Sequence, residues 1–186
     1  MAFTVVYDAD VIHRAPVRDL MIRLALRPRL NLRARWTERI LDEMVDSITR
    51  RRPELRDRLG RTRDPMCEAV PDCLVTGWES LVDGLHLPDP DDRHVLAAAI
   101  RAHAGVIVTY NTDDFPAEDL EPFGIVAQHP DPFLTYLVDL APAVVVQVLQ
   151  EQVAALAAPP ESSTACSQAC GRHITSSDSP QQLPVT

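Results

Sequence analysis

Lysine is missing altogether: the 18 basic residues of this 186-residue chain are all arginine. That counts against phosphoaspartate chemistry, in which a cationic side chain, typically lysine, clamps the phosphoryl group beside the nucleophile. Long apolar runs are missing as well. Nothing approaches the roughly 20 residues a bilayer-crossing helix needs, and the N-terminus shows no basic segment followed by an apolar one. No membrane span or signal peptide is indicated, and a cytoplasmic location is expected. The four cysteines, Cys67, Cys73, Cys166 and Cys170, are too few and too scattered for a disulfide framework, which fits a reducing compartment. Cys166, Cys170 and His173 resemble half of a metal site, but no second pair completes a zinc set. There are no internal repeats.

What is present is ordinary for a globular protein: 46% apolar and 24% charged residues, enough for one domain with a full core plus appendages. The charge is unevenly spread. Fifteen arginines and nine acids precede Asp64, a local balance of +6, whereas three arginines face 18 acids from Asp64 onward, a balance of −15, for a total of −9. An arginine surface suited to phosphates and a carboxylate cluster suited to cations are both compatible with that split; so are charged helix faces that are simply solvated.

Residues 3–7 and 106–109 are short, β-branched and continuous rather than alternating, as strands covered on both faces of a parallel sheet read. Between them, Ile40, Met44 and Ile48 recur every four residues in 37–50, with Thr37 as a cap. Further amphipathic stretches run through Val17–Leu26 and 91–104. Weaker strand patterns lie at Cys73–Val75, Leu85–Leu87 and Gly124–Ala127. Alternating strands and helices predict an α/β domain with a mainly parallel central sheet flanked by helices over residues 1–130. Helical patterns around Phe133–Leu140 and Val144–Leu156, the second opened by Pro142, predict a C-terminal helical extension over 131–158. From Pro159 the text turns to Ser, Pro, Gln and Thr with almost no core residues, so 159–186 is expected to be a disordered polar tail.

The chemistry concentrates in acids. Asp8 and Asp10 follow the first strand, Asp89, Asp91 and Asp92 open a helix in "PDPDDRHVLAAAI", and Asn111, Asp113 and Asp114 follow the strand in "VIVTYNTDDF". Functional groups of open α/β sheets collect outside the carboxyl ends of strands, where two of these clusters fall. Val95, Leu96 and Ala99 lie three, four and seven residues beyond Asp92, so its carboxylate shares their core-facing stripe; it also reads as an ordinary first-turn acid, with Asp89 as N-cap and Pro90 opening the helix. On the 37–50 helix, spacing alone favours Glu38 over Glu43 as the acid nearer the apolar flank. Carboxylates converging from distant segments repel unless a cation neutralises them, and all-oxygen ligation selects Mg²⁺ or Mn²⁺. An EF-hand reading of 89–92 fails, because His94 and Ile100 stand where Gly and Glu belong. His94 and His103 read as solvent-side residues. Arg14 and Arg18, just beyond Asp8, are candidates for a phosphate or a dimer contact, and Arg50, Arg51 and Arg52 for phosphate contact; for the run at 50–52 a helix C-terminus favoured by its dipole explains the charge equally well.

"VVYDADVI", "TERILDEM", "DPDDRHVLAAAI" and "VIVTYNTDDF", in this order across residues 3–115, resemble the PIN-domain nucleases, and in particular the VapC-type toxins of bacterial toxin–antitoxin pairs. "PVRDL", "ARWTERILDE", "EAVPD" and "HPDPFL" resemble a branch with a C-terminal helical region, extending the likeness to about residue 157. The resemblance implies that the metal-holding and catalytic acids are Asp8, Glu43, Asp92 and Asp114, with Asn111 supporting the loop; Thr109 is a further supporting candidate, and Asp10, where such proteins often have a small polar residue, is open between a supporting acid, an additional ligand and no role. It further implies Mg²⁺ or Mn²⁺, cleavage of single-stranded RNA, a homodimer, and a cognate antitoxin that blocks the site. The polar text after Pro159-Pro160 departs from the branch, where further helices are expected. Asp8-Ala9-Asp10 behind a strand also matches haloacid-dehalogenase-type phosphatases, and a non-catalytic PIN-like binding module is a third alternative.

Overall fold

The computed structural model describes residues 3–157, apart from the side chains of residues 58, 60 and 61; the tail expected at 159–186 lies outside the described residues. Four strands, β1 (Phe3–Tyr7), β2 (Leu32–Arg35), β3 (Val106–Val108) and β4 (Val126–Gln128), form one parallel sheet in the order β2-β1-β3-β4. The register sets Val5 opposite both Ala34 and Val106, and Ile107 opposite Ala127. Val5, Val6, Tyr7, Ile107 and Val108 are fully buried. This is why the two central strands read as unbroken apolar runs: helices cover both faces of a parallel sheet.

The helices are α1 (Ala9–His13), α2 (Ala15–Ala25), α3 (Glu38–Arg51), α4 (Arg56–Ala69), α5 (Arg93–Arg101), α6 (Ala117–Leu120), α7 (Pro130–Leu140) and α8 (Pro142–Ala157). Thr37 caps α3 as expected, its hydroxyl accepting from the Ile40 N–H at 3.1 Å. The helix buries Ile40, Leu41, Met44 and Val45, and the sheet core is closed by Trp36 stacked 6.3 Å from Tyr7.

Several local expectations change. Cys73–Val75 forms only an isolated bridge, Leu74 to Trp36, and Leu85–Leu87 is not a strand; a three-residue apolar run carries no period to separate strand from packed loop. β2, in "LRAR", has Leu32 and Ala34 inward, and its two arginines mask the pattern. The stretch 91–104 divides into a 3₁₀ turn at Pro90–Asp92 and the helix proper at Arg93–Arg101.

α7 and α8 pack back onto the domain. Gln152, buried on α8, donates to the Pro16 carbonyl at 2.8 Å, and Glu151 pairs with Arg27. Among the described residues no single helix is long and apolar enough to cross a membrane; α7 and α8 pass such a test only together, bent by 118°.

Candidate active site

In the order β2-β1-β3-β4 the chain connections diverge between β1 and β3, which opens a crevice at their carboxyl ends. Asp8 is the first residue after β1 and Thr109 the first after β3. Asp8 is buried as the N-cap of α1, Oδ1 accepting from the Ala9 N–H at 2.6 Å, while the Thr109 hydroxyl lies 2.8 Å from Oδ2. The same hydroxyl lies 3.2 Å from Asp10 Oδ2 and accepts from the Asn111 N–H at 3.0 Å. Asp10 Oδ2 also accepts from the Tyr110 N–H at 2.9 Å. Asp10 Oδ1 is buried and has no hydrogen-bond partner among the described residues. Thr109 therefore ties both loops of the crevice together.

Asp8, Asp10, Glu43, Asp92 and Asn111 line one cleft of about 370 Å³, with His13 and Arg50 among its other residues. Asp114 joins from the side: one carboxylate oxygen each of Asp89, Asp92 and Asp114 lie within 4.8 Å of one another. Asn111 Nδ2 donates to Asp114 Oδ2. Asp89 is the N-cap expected of it, Oδ1 accepting from the Asp91 N–H at 2.8 Å, but the fold also brings it into the acid group, which its position in the sequence did not suggest. Asp92 makes no capping hydrogen bond.

Glu43, not Glu38, reaches the cleft. Glu38 and Asp42 turn away to pair with Arg63 of α4. Glu43 accepts from Arg39 Nε at 3.1 Å, and His94 Nε2 lies 2.9 Å from Glu43 Oε1, an ion-pair distance without the alignment of a hydrogen bond. His94 is thus corrected: it is buried on α5, 5.9 Å from the Trp78 ring, rather than solvent-side. It occupies a helix position two residues past Asp92, where the inward stripe already begins.

Crowding of like charge marks the site. Burial, then Asp10, pushes the Asp8 carboxyl up to about 6 against the pull of Thr109 and Ala9. Burial, then the charges of Asp8, Asp114, Asp89 and Glu43, pushes Asp92 up to about 7. Asp10 is raised as well, first by burial. In Glu43 burial acts upward, but the proximity and charge of His94, with Arg39, outweigh it and leave the carboxyl below its ordinary value. Such a set is unstable as free anions and is relieved by protons or by a cation. Every donor is a carboxylate oxygen, which suits Mg²⁺ or Mn²⁺ rather than zinc, and the orphaned Asp10 Oδ1 leaves a further acceptor beside them.

Arg14 is exposed and lies 4.2 Å from the centre of the Tyr110 ring, which meets His129 edge-on. Arg18 is half-buried and donates to the Ile12 carbonyl at 2.7 Å, so part of its guanidinium is committed to the fold. Arg50 lines the acid cleft; Arg51 and Arg52 line the cavity beside it.

A parallel sheet with acids gathered at its switch point is the architecture of a PIN domain. The PIN-domain family model matches residues 4–113, more than half of the chain, and the chain belongs to that family. Residues 130–166 match the family model of the VapC50 C-terminal domain. A protein of Mycobacterium tuberculosis (strain ATCC 25618 / H37Rv) named "Putative ribonuclease VapC50" is 36% identical over 121 residues, which cover 63% of this chain and 71% of that protein. No solved structure matches the chain.

Proposed function

We propose that this chain is a VapC-type endoribonuclease dependent on Mg²⁺ or Mn²⁺, acting in the cytoplasm as the toxin of a type II pair and held in check by a cognate antitoxin. The observation that carries the reading is the convergence of Asp8, Glu43, Asp92 and Asp114 from four separate segments, with the Asp8 and Asp92 carboxyls pushed up to about 6 and about 7 by burial and mutual repulsion. Family membership and the likeness to a protein named as a ribonuclease support RNA as the substrate, and set aside the phosphatase alternative for Asp8 and Asp10.

Asp8, Glu43, Asp92 and Asp114 would hold the ion. A divalent cation there supplies Lewis acidity for hydrolysis at phosphorus and offsets the charge of the departing oxygen. The chain's own part is positioning. Thr109 and the Ala9 N–H fix the Asp8 carboxylate, Arg39 and His94 keep Glu43 ionised, and Asn111 steadies Asp114. Hydrolysis adds water across the P–O3′ bond, leaving a 5′-phosphate and a 3′-hydroxyl. A protein partner, whether an antitoxin or a second copy in a homodimer, is supported by the exposed Val146, Leu149, Val153 and Leu156 along α8.

The test is cleavage of single-stranded RNA with Mg²⁺, Mn²⁺ or chelator by the wild type and by Asp8→Asn and Asp92→Asn. Loss of cleavage in chelator and in both variants, with melting temperatures that show folded protein, is expected. Cleavage that continues at an unchanged rate in both variants overturns the proposal.

A further inference from the structure

Beside the acid cleft lies a second cavity of about 350 Å³ whose chemistry is the opposite. His13, Arg18, Arg51 and Arg52 line it together with Ile48, Leu55 and Leu59. The two cavities adjoin: His13 lines both, and Arg50 of the acid cleft is followed in sequence by Arg51 of the basic one. Positive charge dominates here. His13 is held below its ordinary value by burial and then by Arg14, Arg51 and Arg18.

The arginines of this region differ from many others in the chain. Arg23, Arg27, Arg39, Arg56 and Arg63 each pair with a carboxylate, whereas Arg51 and Arg52 are exposed and have no carboxylate partner among the described residues. The C-terminus of α3 accounts for cations being tolerated there. It does not account for a cavity that they share with three apolar side chains.

A cationic lining next to an apolar one is the composition that suits a nucleotide, with the phosphate on guanidinium groups and the ribose and base on carbon. We infer that the cavity of His13, Arg51, Arg52, Ile48, Leu55 and Leu59 is a subsite for one nucleotide of the substrate strand flanking the cleaved bond. The inference rests on the ribonuclease reading for the identity of the strand. The shared His13 sets the direction: the chain of phosphates passes from the acid cleft over Arg50 into the basic cavity, so the arginines position the strand and the acids act on it.

Binding separates the two ideas. Full-length Asp8→Asn protein is titrated into a short fluorescein-labelled single-stranded oligoribonucleotide at several salt concentrations. The same titration is run with Arg51→Gln/Arg52→Gln and Arg51→Lys/Arg52→Lys in that background. Arg29→Gln is the control, on an exposed arginine that precedes β2 at the opposite end of the sheet. Arg51→Gln/Arg52→Gln is expected to weaken binding and to flatten the slope of log affinity against log salt by about 0.7 for each phosphate that the arginines neutralise, with the lysine pair retaining the slope and Arg29→Gln unchanged. In otherwise wild-type protein the glutamine pair raises KM and leaves kcat unaltered. Absence of binding by Asp8→Asn protein, or a glutamine pair indistinguishable from Arg29→Gln, overturns the subsite. A wild-type chain that binds RNA through these arginines and never cleaves it overturns the nuclease reading alone.

Discussion

Nε2 of His94 stands 2.9 Å from Oε1 of Glu43, with the imidazole wholly screened from water. A helix residue adjacent to one acid, Asp92 on its own segment, thereby governs another that arrives from α3. His94→Ala removes the imidazole and leaves a gap against Trp78, so the Glu43 carboxyl loses one of the two side chains that lie against it and hold it below its ordinary value. Loss of a group that orients a metal-holding side chain typically weakens ion binding 10- to 100-fold. The expected result is a Mn²⁺ titration, followed by calorimetry, that shifts by about that factor, with cleavage recovering at high Mn²⁺.

The raised carboxyls make metal-free stability fall with pH. For an acid whose pKa is higher folded than unfolded, the native state binds more protons, so the stabilising contribution is complete below about pH 4 and is lost as pH rises through the folded values. With Asp8 at about 6 and Asp92 at about 7, the window runs from about pH 4 to about pH 7. In chelator the wild type should melt at progressively lower temperature across that window, and Asp8→Asn and Asp92→Asn should flatten the decline. Added Mg²⁺ should reverse it at pH 7. Thermal scans in chelator and in Mg²⁺ check both statements.

Thr109→Val keeps the shape of a fully buried residue and removes the hydroxyl between Asp8, Asp10 and the Asn111 N–H. Buried polar groups left without a partner cost about 1–3 kcal/mol, a destabilisation that denaturant unfolding measures. Because the Thr109 hydrogen bond favours ionised Asp8, its removal lets the carboxyl climb further, and the rising limb of the cleavage–pH profile moves to higher pH.

Gln152→Ala tests whether α8 is integral to the domain. The amide donates to the Pro16 carbonyl at the start of α2. Its removal should lower stability by about 1 kcal/mol and leave the metal dependence of cleavage as it was, since none of the residues that line the cleft belongs to α8.

Much of the architecture is legible in the chain because it follows from local chemistry. β1 and β3 announce themselves by short continuous runs rich in β-branched residues, α3 by its four-residue apolar repeat and its Thr37 cap, α7 by its apolar pattern, and α8 by its pattern and the proline at its start. β2 and α4 escape for the same kind of reason in reverse: arginines interrupt the first, and the second has little apolar face of its own.

The sequence by itself determined which residue types were available: an acid directly after β1 and others soon after β3, an acid opening α5, arginine without lysine, and a core able to close over the sheet. Tertiary structure alone decided which acids meet. Helical spacing pointed to Glu38, yet packing against α4 draws Glu38 to Arg63 and leaves Glu43 facing the cleft; Asp89 joins the acids because two loops fold together; and His94 is inside because α5 lies between Trp78 and α3. The physical reason is range. Capping, periodicity and strand patterns act over a few residues along the chain, whereas a site is made by charges and hydrogen bonds between segments as far apart as Asp8 and Thr109, whose meeting depends on the whole core being packed.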